Sequence, residues 1–596
     1  MATFPGPLRR TTQSPDQSFS LLPSFGVRSM QTRAIAGRRA IARYHPTEIA
    51  FLLPLLLIAR FAGINHQSLW YDEGYTLTLA SASSFHQFWI RFGAFTTSEH
   101  LQPLYYFFMF FWSRAMGTSD LALRAPSALF SAGSAIAAYC AISPLAGSRR
   151  RLPVLFALAL TFSSFSIYYG QEARPYALLQ FLSFTLLAVW MQCRTSLAQK
   201  GSVSGTMKVL LPLVCALCML CSPFVALLAF SLMASDFITL KGITSSGRKV
   251  WWQLWSASIA AAACALTTYL AGALATMPGF IARDVVSIKQ PLWMNIAYTI
   301  YGTFFGATLP PSTAALREPG KLHIALAAWP VVVPCALAAI ALIMGAWLLV
   351  KSAAYLTEEV TSTLLSAGIY ASIFILFFGF LGHLNILPRH GSALFAILFL
   401  QAALCANLLR TTRSTPALLL FCAGFAGWML MNAVSIYNYD FNQAFRKDDY
   451  RATARMLQGT NVPIFLAGGQ AQLLKRYGSP DMVDATLIEP MALAEFIRHH
   501  SNGAPVVEVV MNDYRNYLWD KGGSVVAAMA LEYDCKTQRH LTNFDVYSCA
   551  YRSSGEQEAH SGQGYATQNG FVASSSTGGA AFSGVPPRMG KDRDVR

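Results

Sequence analysis

The sequence predicts an α-helical polytopic membrane protein, with about eleven transmembrane helices plus juxtamembrane helices, followed by a small C-terminal α/β soluble domain. Three observations predict it. Of 596 residues, 54% are hydrophobic and only 12% charged, where soluble domains carry about a quarter charged. Apolar runs of spanning length recur from residue 48 to residue 437. Beyond residue 440 the pattern changes to short apolar runs separated by polar helical stretches. The net charge of +16 does not imply a nucleic-acid partner, because lysine and arginine collect in the cytoplasmic loops of membrane proteins.

Residues 1–45 carry seven arginines and one acidic residue and read as a disordered basic cytoplasmic tail. A transit peptide has similar composition, and Met30 is an alternative start. Apolar runs follow at 48–64, 124–146, 153–169, 175–193, 208–221, 224–240, 251–275, 326–350, 363–382, 392–410 and 416–437. Ser222-Pro223 splits what would otherwise be one long run into two spans. Together they make 46–439 a transmembrane unit, with 65–123 and 276–325 as its large external loops. Leu101 to Gly117 has 17 residues, seven of them aromatic, plus Arg114. That composition suits the headgroup interface. With this segment lying flat outside, Arg149–Arg151, Arg194, Lys200, Lys208, Lys241, Arg248, Lys249, Lys351, Arg410 and Arg413 all fall in cytoplasmic loops. With it spanning, all twelve move outside, which the positive-inside rule disfavours. The expected location is the plasma (inner) membrane, multi-pass, with 65–123 and the C-terminal domain extracytoplasmic.

Residues 440–552 form the soluble unit. Asp448-Asp449 precedes a helical pattern through Leu457, Val462–Leu466 and Pro505–Met511 read as buried strands, and Met491–His499 as a helix. His499-His500 reads as an exposed helix end. Nine of the eleven cysteines lie in or beside apolar runs and read as packing residues, Cys215, Cys218 and Cys221 included. Cys535 and Cys549 fall in the polar unit, where an oxidising compartment would allow them to pair. Residues 553–596, rich in Gly, Ser and Ala, read as a disordered tail.

Four polar clusters share the outer face in this topology: Asp72-Glu73 with Trp70 and Tyr71 before it; Glu99-His100 through Tyr105-Tyr106; Tyr168-Tyr169-Gly170-Gln171-Glu172-Ala173-Arg174-Pro175-Tyr176; and Pro388-Arg389-His390. Each sits at the end of a span, and ionisable residues there lean toward function. Their chemistry is complementary. Arg174 and Arg389 suit a phosphate, Asp72 suits a general base or a group orienting a hydroxyl, and the aromatics suit sugar rings and an isoprenoid chain.

In this order the motifs resemble the GT-C glycosyltransferases, and within them the family 39 group of protein O-mannosyltransferases and aminoarabinose transferases. The resemblance covers roughly 48–440 and is strongest in 65–185. It implies a polyprenyl-phosphate sugar donor, a glycan, lipid or protein acceptor, and contact with membrane lipid. It also implies transfer with inversion, Asp72 as the catalytic acidic residue and Glu73 as its neighbour. Arg174 and Arg389 would bind the phosphate, with Glu99, His100, Tyr105, Glu172, Tyr176 and His390 lining the substrate site. The chain departs from the family pattern at Leu101-Gln102, where a proline is usual; at His390, where a tyrosine follows Pro-Arg; and at Ser222-Pro223-Phe224, where a histidine is common. No cofactor is required by a lipid-phosphate donor, although Asp72, Glu73, Glu99 and His100 are types that could hold a divalent metal. A transporter or flippase of lipid-linked sugars is the main alternative; it would favour ionisable residues at mid-membrane and internal repeats. A non-catalytic envelope-assembly protein is the other.

Overall fold

The computed structural model describes residues 46–552 except 95–97, 147–150, 240–244, 285–291, 312–320, 353–357, 377–386, 410–413, 487, 489 and 513–523. The basic segment 1–45, the tail 553–596, residues 383–386 of the fourth cluster's loop, and Arg149, Arg150, Lys241, Arg410 and Arg413 lie outside the described residues.

Helices dominate the described residues from 46 to 441. In chain order they are α1 (Pro46–Phe61), α2 (Tyr71–Ala80), α3 (Phe85–Ala94), α4 (Pro103–Met116), α5 (Asp120–Ala146), α6 (Arg151–Thr161), α7 (Ser164–Gly170), α8 (Tyr176–Lys200), α9 (Gly205–Cys221), α10 (Pro223–Thr239) and α11 (Ser245–Asp284). Then come α12 (Leu292–Phe305), α13 (Lys321–Ala327), α14 (Trp329–Ser352), α15 (Glu358–Ile373), α16 (Ser392–Leu408) and α17 (Thr415–Phe441). Each of the eleven expected apolar runs overlaps one of these helices. Among the described residues, six helices are long and apolar enough to cross a membrane, or seven if the bent pair α6–α7 is one span. The count falls short of eleven partly because α1, α9 and α10 have only 16 or 17 residues, about 25 Å of rise against a core of about 30 Å.

Two buried arginines show how the bundle tolerates polar groups. The α6–α7 pair bends by 56°, which frees carbonyls at the end of α6. Arg60, in the last turn of α1, fills that break: it donates to Thr161 O at 2.6 Å, Leu160 O at 3.1 Å and Ser131 Oγ at 2.6 Å. Near the far end of α8, Arg194 pairs with Asp236 of α10, whose carboxylate also accepts from Trp190 and Trp255. These groups are hydrogen-bonded in place, which is how buried ions are tolerated.

The helices alternate in direction, so the bundle has two distinct ends. One collects the end of α1, the starts of α5 and α8, the α9–α10 turn, the start of α16 and the end of α17. The other carries Arg151, Lys200, Lys208, Arg248, Lys249 and Lys351. At the first end, α4 is only 14 residues, about 21 Å long. The adjoining α3 exposes Phe85, Trp89 and Ile90, an apolar face of the interfacial kind.

One expected loop is different. Residues 276–325 include the end of α11, the helix α12 and the start of α13. Leu292–Phe305 is apolar and aromatic but has 14 residues, too few to span, and so reads as loop in a search for spans. It lies instead across the first end of the bundle. A Cβ on its Gly302 would come within 2.5 Å of Pro388 Cγ, so glycine permits that approach. Thr303 Oγ1 donates to Pro388 O at 2.9 Å, and the pair fixes the turn that carries Arg389.

The C-terminal unit holds a five-stranded mixed sheet in the order β2-β1-β3-β5-β4. The strands are β1 (Ile464–Leu466), β2 (Val483–Asp484), β3 (Val506–Asn512), β4 (Tyr533–Leu541) and β5 (Phe544–Tyr551). Its helices are α18 (Tyr450–Leu457), α19 (Ala471–Arg476), α20 (Pro490–His500) and α21 (Ser524–Met529). Asp449 caps α18 by accepting from Ala452 N at 2.9 Å. Alternation along the strands gives the sheet two apolar faces. Phe465, Val507, Val509 and Met511 pack with Leu493 and Ile497 of α20. Ile464, Leu466, Val510 and Val546 join Tyr450, Leu457 and Leu473 in a core continuous with the helical bundle. Cys535 and Cys549 form a disulfide between β4 and β5.

Candidate active site

Asp72 and Glu73 open helix α2, where acidic side chains suit the positive end of the helix dipole. Their environments then separate. Glu73 is fully buried and forms a two-pronged pair with Arg124: Nε to Oε1 at 2.8 Å and Nη2 to Oε2 at 2.5 Å. It also accepts from Ala173 N at 2.7 Å and from Trp70 N at 3.2 Å. Arg124, at the start of α5, donates in addition to the carbonyls of Ile64, Gln67 and Ser68, each at 2.8 Å. Glu73, expected as a catalytic neighbour, has both oxygens committed to holding the 64–68 linker and the 171–174 turn.

Asp72 keeps 21% of its side-chain surface open. Arg389 Nη1 lies 3.3 Å from its Oδ2 and Arg174 Nη2 3.9 Å from the same oxygen. These distances are loose for charge-assisted pairs, which close to about 2.7–2.9 Å. The ring of Tyr176 lies beneath both guanidinium groups, at 5.6 Å from Arg174 and 5.4 Å from Arg389. Arg174 is buried and fixed by Asp72 O at 3.1 Å, Glu99 Oε1 at 2.9 Å, Tyr106 Oη at 3.1 Å and Tyr176 Oη at 3.2 Å. Among the described residues, Nε of Arg174 and Nε of Arg389 are buried with no hydrogen-bond partner. Two orphaned cationic donors on one side of an open carboxylate are the most unusual feature of the site, because buried donors are nearly always satisfied.

The remaining expected residues divide. Glu99, in the 3-10 turn Ser98–Leu101, orders Arg174 through Oε1 while its Oε2 is buried and unpartnered. His100 packs edge-on against Phe92 at 4.8 Å with Nδ1 unpartnered, and burial pulls its pKa below the usual value. Tyr105 lies deeper: its hydroxyl meets Ser127 Oγ at 3.3 Å inside the core, and the adjacent Tyr106 reaches Arg174. Glu172 is buried against Lys447 Nζ at 2.6 Å, and the ammonium group also sits over the rings of Tyr168 at 4.4 Å, Trp70 at 5.4 Å and Tyr439 at 5.6 Å. Burial pushes Glu172 above the ordinary carboxylate range, with Lys447 opposing. His390 stacks on Phe224 at 4.9 Å and its Nδ1 accepts from Leu387 N at 3.1 Å, so it braces the Arg389 turn against the α9–α10 turn.

The C-terminal unit reaches the site directly. Gln470 Nε2 donates to Tyr71 O at 2.8 Å, and Gln472 Nε2 to Gly74 O at 2.8 Å. Leu69 N donates to Tyr477 Oη at 2.8 Å, and that hydroxyl donates to Asp120 Oδ2 at 2.6 Å. Asp448 lies beside Tyr71 and Asp72 and accepts from Asn543 Nδ2 at 3.0 Å; burial raises its pKa to about 6. A Cβ on Gly74 would overlap the Gln470 side chain.

Sequence reasoning missed Arg124, Lys447, Asp448 and Gln470 as site residues, and named Tyr106 only within its cluster. Arg124 heads an apolar run and Lys447 follows the last one, so each is a charge at a span end, the same signal that marked Arg174. The four possible metal ligands do not converge: Glu73 and Glu99 are tied to arginines. Among the described residues no group of three or more His, Cys, Asp or Glu side chains is placed to hold a metal ion.

No protein-family model matches this chain, and no curated protein matches it in sequence. Solved structures are similar to it. One is the crystal structure of ArnT from Cupriavidus metallidurans bound to undecaprenyl phosphate, at 12% identity and a TM-score of 0.46, covering 85% of this chain and 98% of that one. Another is the Archaeoglobus fulgidus oligosaccharyltransferase in the apo form, at 13% identity and a TM-score of 0.48, covering 86% of this chain and 75% of that one.

Proposed function

We propose that this protein is a membrane glycosyltransferase of the GT-C kind. It transfers a sugar, hexosyl or pentosyl, from a polyprenyl-phosphate donor to an acceptor hydroxyl on a glycan, lipid or protein at the outer face of the plasma (inner) membrane. The observation that carries the reading is Asp72, an open carboxylate held loosely against two arginines whose Nε groups lack partners.

The division of labour follows from the atoms. Both arginines approach Asp72 through Oδ2, which leaves Oδ1 for an acceptor. A donor phosphate takes up the free guanidinium donors and displaces the loose pairing to Asp72. The acceptor oxygen then attacks the anomeric carbon as Asp72 receives its proton. The bond from that carbon to the phosphate oxygen breaks, its electron pair leaves with the polyprenyl phosphate, and the arginines stabilise the growing charge. Attack opposite the leaving group inverts the anomeric centre. Glu73 acts as a positioning residue, holding through Trp70 N and Ala173 N the backbone that carries Asp72 and Arg174, and Glu172 holds Lys447 beside it. No step calls for a metal. The outer-face placement is supported by the lysines and arginines at the opposite end of the bundle and by the Cys535–Cys549 disulfide.

Purified protein in liposomes, given a polyprenyl-phosphate sugar with a labelled head group, tests the reading. Free polyprenyl phosphate should appear only when acceptor is added. Label that crosses the bilayer intact, with no release, would instead support a flippase.

A further inference from the structure

A second polar basin lies beside the site, between the linker that follows α1 and the segment that joins α17 to α18. It has a volume of about 220 Å³, and His66, Arg446, Lys447, Asp449, Arg451 and Arg455 supply its ionisable lining. Four of these side chains are cationic and one is acidic. The acid is occupied, since Asp449 caps α18 through Ala452 N at 2.9 Å. Lys447 is paired with Glu172 at 2.6 Å and Arg451 with Asp120 at 3.1 Å. Arg446 and Arg455 have no ion pair among the described residues, and Arg446 Nε is buried without a hydrogen-bond partner. A buried guanidinium nitrogen with nothing to donate to, in a basin of surplus positive charge, calls for an anion.

The level of the basin says which kind. His66 follows the end of α1 at Phe61 by five residues, and Arg446 follows the end of α17 at Phe441 by the same number. On the last turn of α17, Tyr437 and Phe441 are 62% and 67% exposed, with ring centroids 5.3 Å apart. Exposed aromatics at a span end mark the membrane–water interface. We propose that this basin is a phosphate site for the headgroup of an anionic membrane lipid, separate from the Arg174–Arg389 pair, with Arg446 and Arg455 as its main ligands. A volume of this size holds a phosphodiester together with bound water, each water taking about 30 Å³.

The test uses the full chain in detergent, titrated with phosphatidylglycerol or phosphatidylcholine and read by native mass spectrometry, with inorganic phosphate titrated separately by calorimetry. Wild type should retain phosphatidylglycerol in preference. The double variant Arg446→Gln, Arg455→Gln should lose about tenfold in that affinity while phosphatidylcholine retention stays unchanged. If the double variant does not fold, the exposed Arg455→Glu variant should still weaken phosphatidylglycerol retention severalfold. Equal retention by wild type and the folded variant would overturn the site. Charge-dependent binding of inorganic phosphate with no preference among the lipids would overturn the headgroup assignment.

Discussion

Asp72 and Glu73 are adjacent on a helix whose residues turn by about 100° each, so the two carboxylates face different neighbours. One meets Arg389 and the open side of the site; the other meets Arg124 in the core. Removing charge from the second should therefore damage the fold. Glu73→Gln is expected to lower stability by about 3–5 kcal/mol, because it leaves Arg124 buried and unpaired. The double variant Glu73→Leu, Arg124→Met should recover much of that loss, since an apolar pair of similar volume avoids the buried charge. Thermal unfolding of the purified variants in detergent checks both, and a stable Glu73→Gln would contradict the structural role. The sequence displays the acidic pair plainly, because two carboxylates beside a span are unusual. Which of them stays open depends on Arg124, 51 residues further along, and no local pattern announces that partnership. Tyr105 and Tyr106 divide for the same reason: only the packing of α4 against α5 decides which phenol turns inward to Ser127 and which to Arg174.

At the scale of elements, the C-terminal unit holds α2 in place. Gln470 and Gln472 bind its carbonyls, Asp448 lies beside its first turn, and Gly74 gives Gln470 room. Gly74→Ala should push Gln470 away from Tyr71 O, losing a hydrogen bond worth about 1 kcal/mol and lowering turnover severalfold. Combining it with Gln470→Ala removes the overlap but not the lost bond, so melting temperature should rise above that of Gly74→Ala while turnover stays low. Asp448 adds a pH dependence. Its pKa rises from 3.8 to about 6 on folding, so between these values the folded chain holds a proton that the unfolded chain has released. Stability from this group is therefore present below about pH 4 and declines as pH rises through about 6, by on the order of 2–3 kcal/mol. Asp448→Asn should flatten that component of the melting temperature measured between pH 4 and pH 7. The sequence shows that a soluble α/β unit follows the last span, through its period-two strands and the capping Asp449. It does not show the docking, which rests on glutamines and a tyrosine that look like ordinary surface residues. Helix α12 is hidden for a different reason: at 14 residues it is too short to span, so its apolar run is absorbed into the expected loop.

Across the described residues, the alternating helices place the Asp72 site at one end and Arg151, Lys200, Lys208, Arg248, Lys249 and Lys351 at the other. Single cysteines introduced at Ser81, on the site end, and at Lys208, on the basic end, should react with membrane-impermeant reagents from opposite sides of a sealed vesicle. Labelling of both from one side would contradict the outer-face assignment. The central claim is narrower: Asp72 serves the acceptor, while Arg174 and Arg389 serve the donor phosphate. It is tested most directly by measuring polyprenyl-phosphate binding and single-turnover transfer side by side for Asp72→Asn and Arg389→Gln. Asp72→Asn should bind the lipid phosphate at least as tightly as wild type and lose transfer by on the order of 10²–10⁴-fold, whereas Arg389→Gln should weaken binding by about tenfold or more. Transfer at the wild-type rate by a folded Asp72→Asn protein, with Arg389→Gln binding unchanged, would contradict the account.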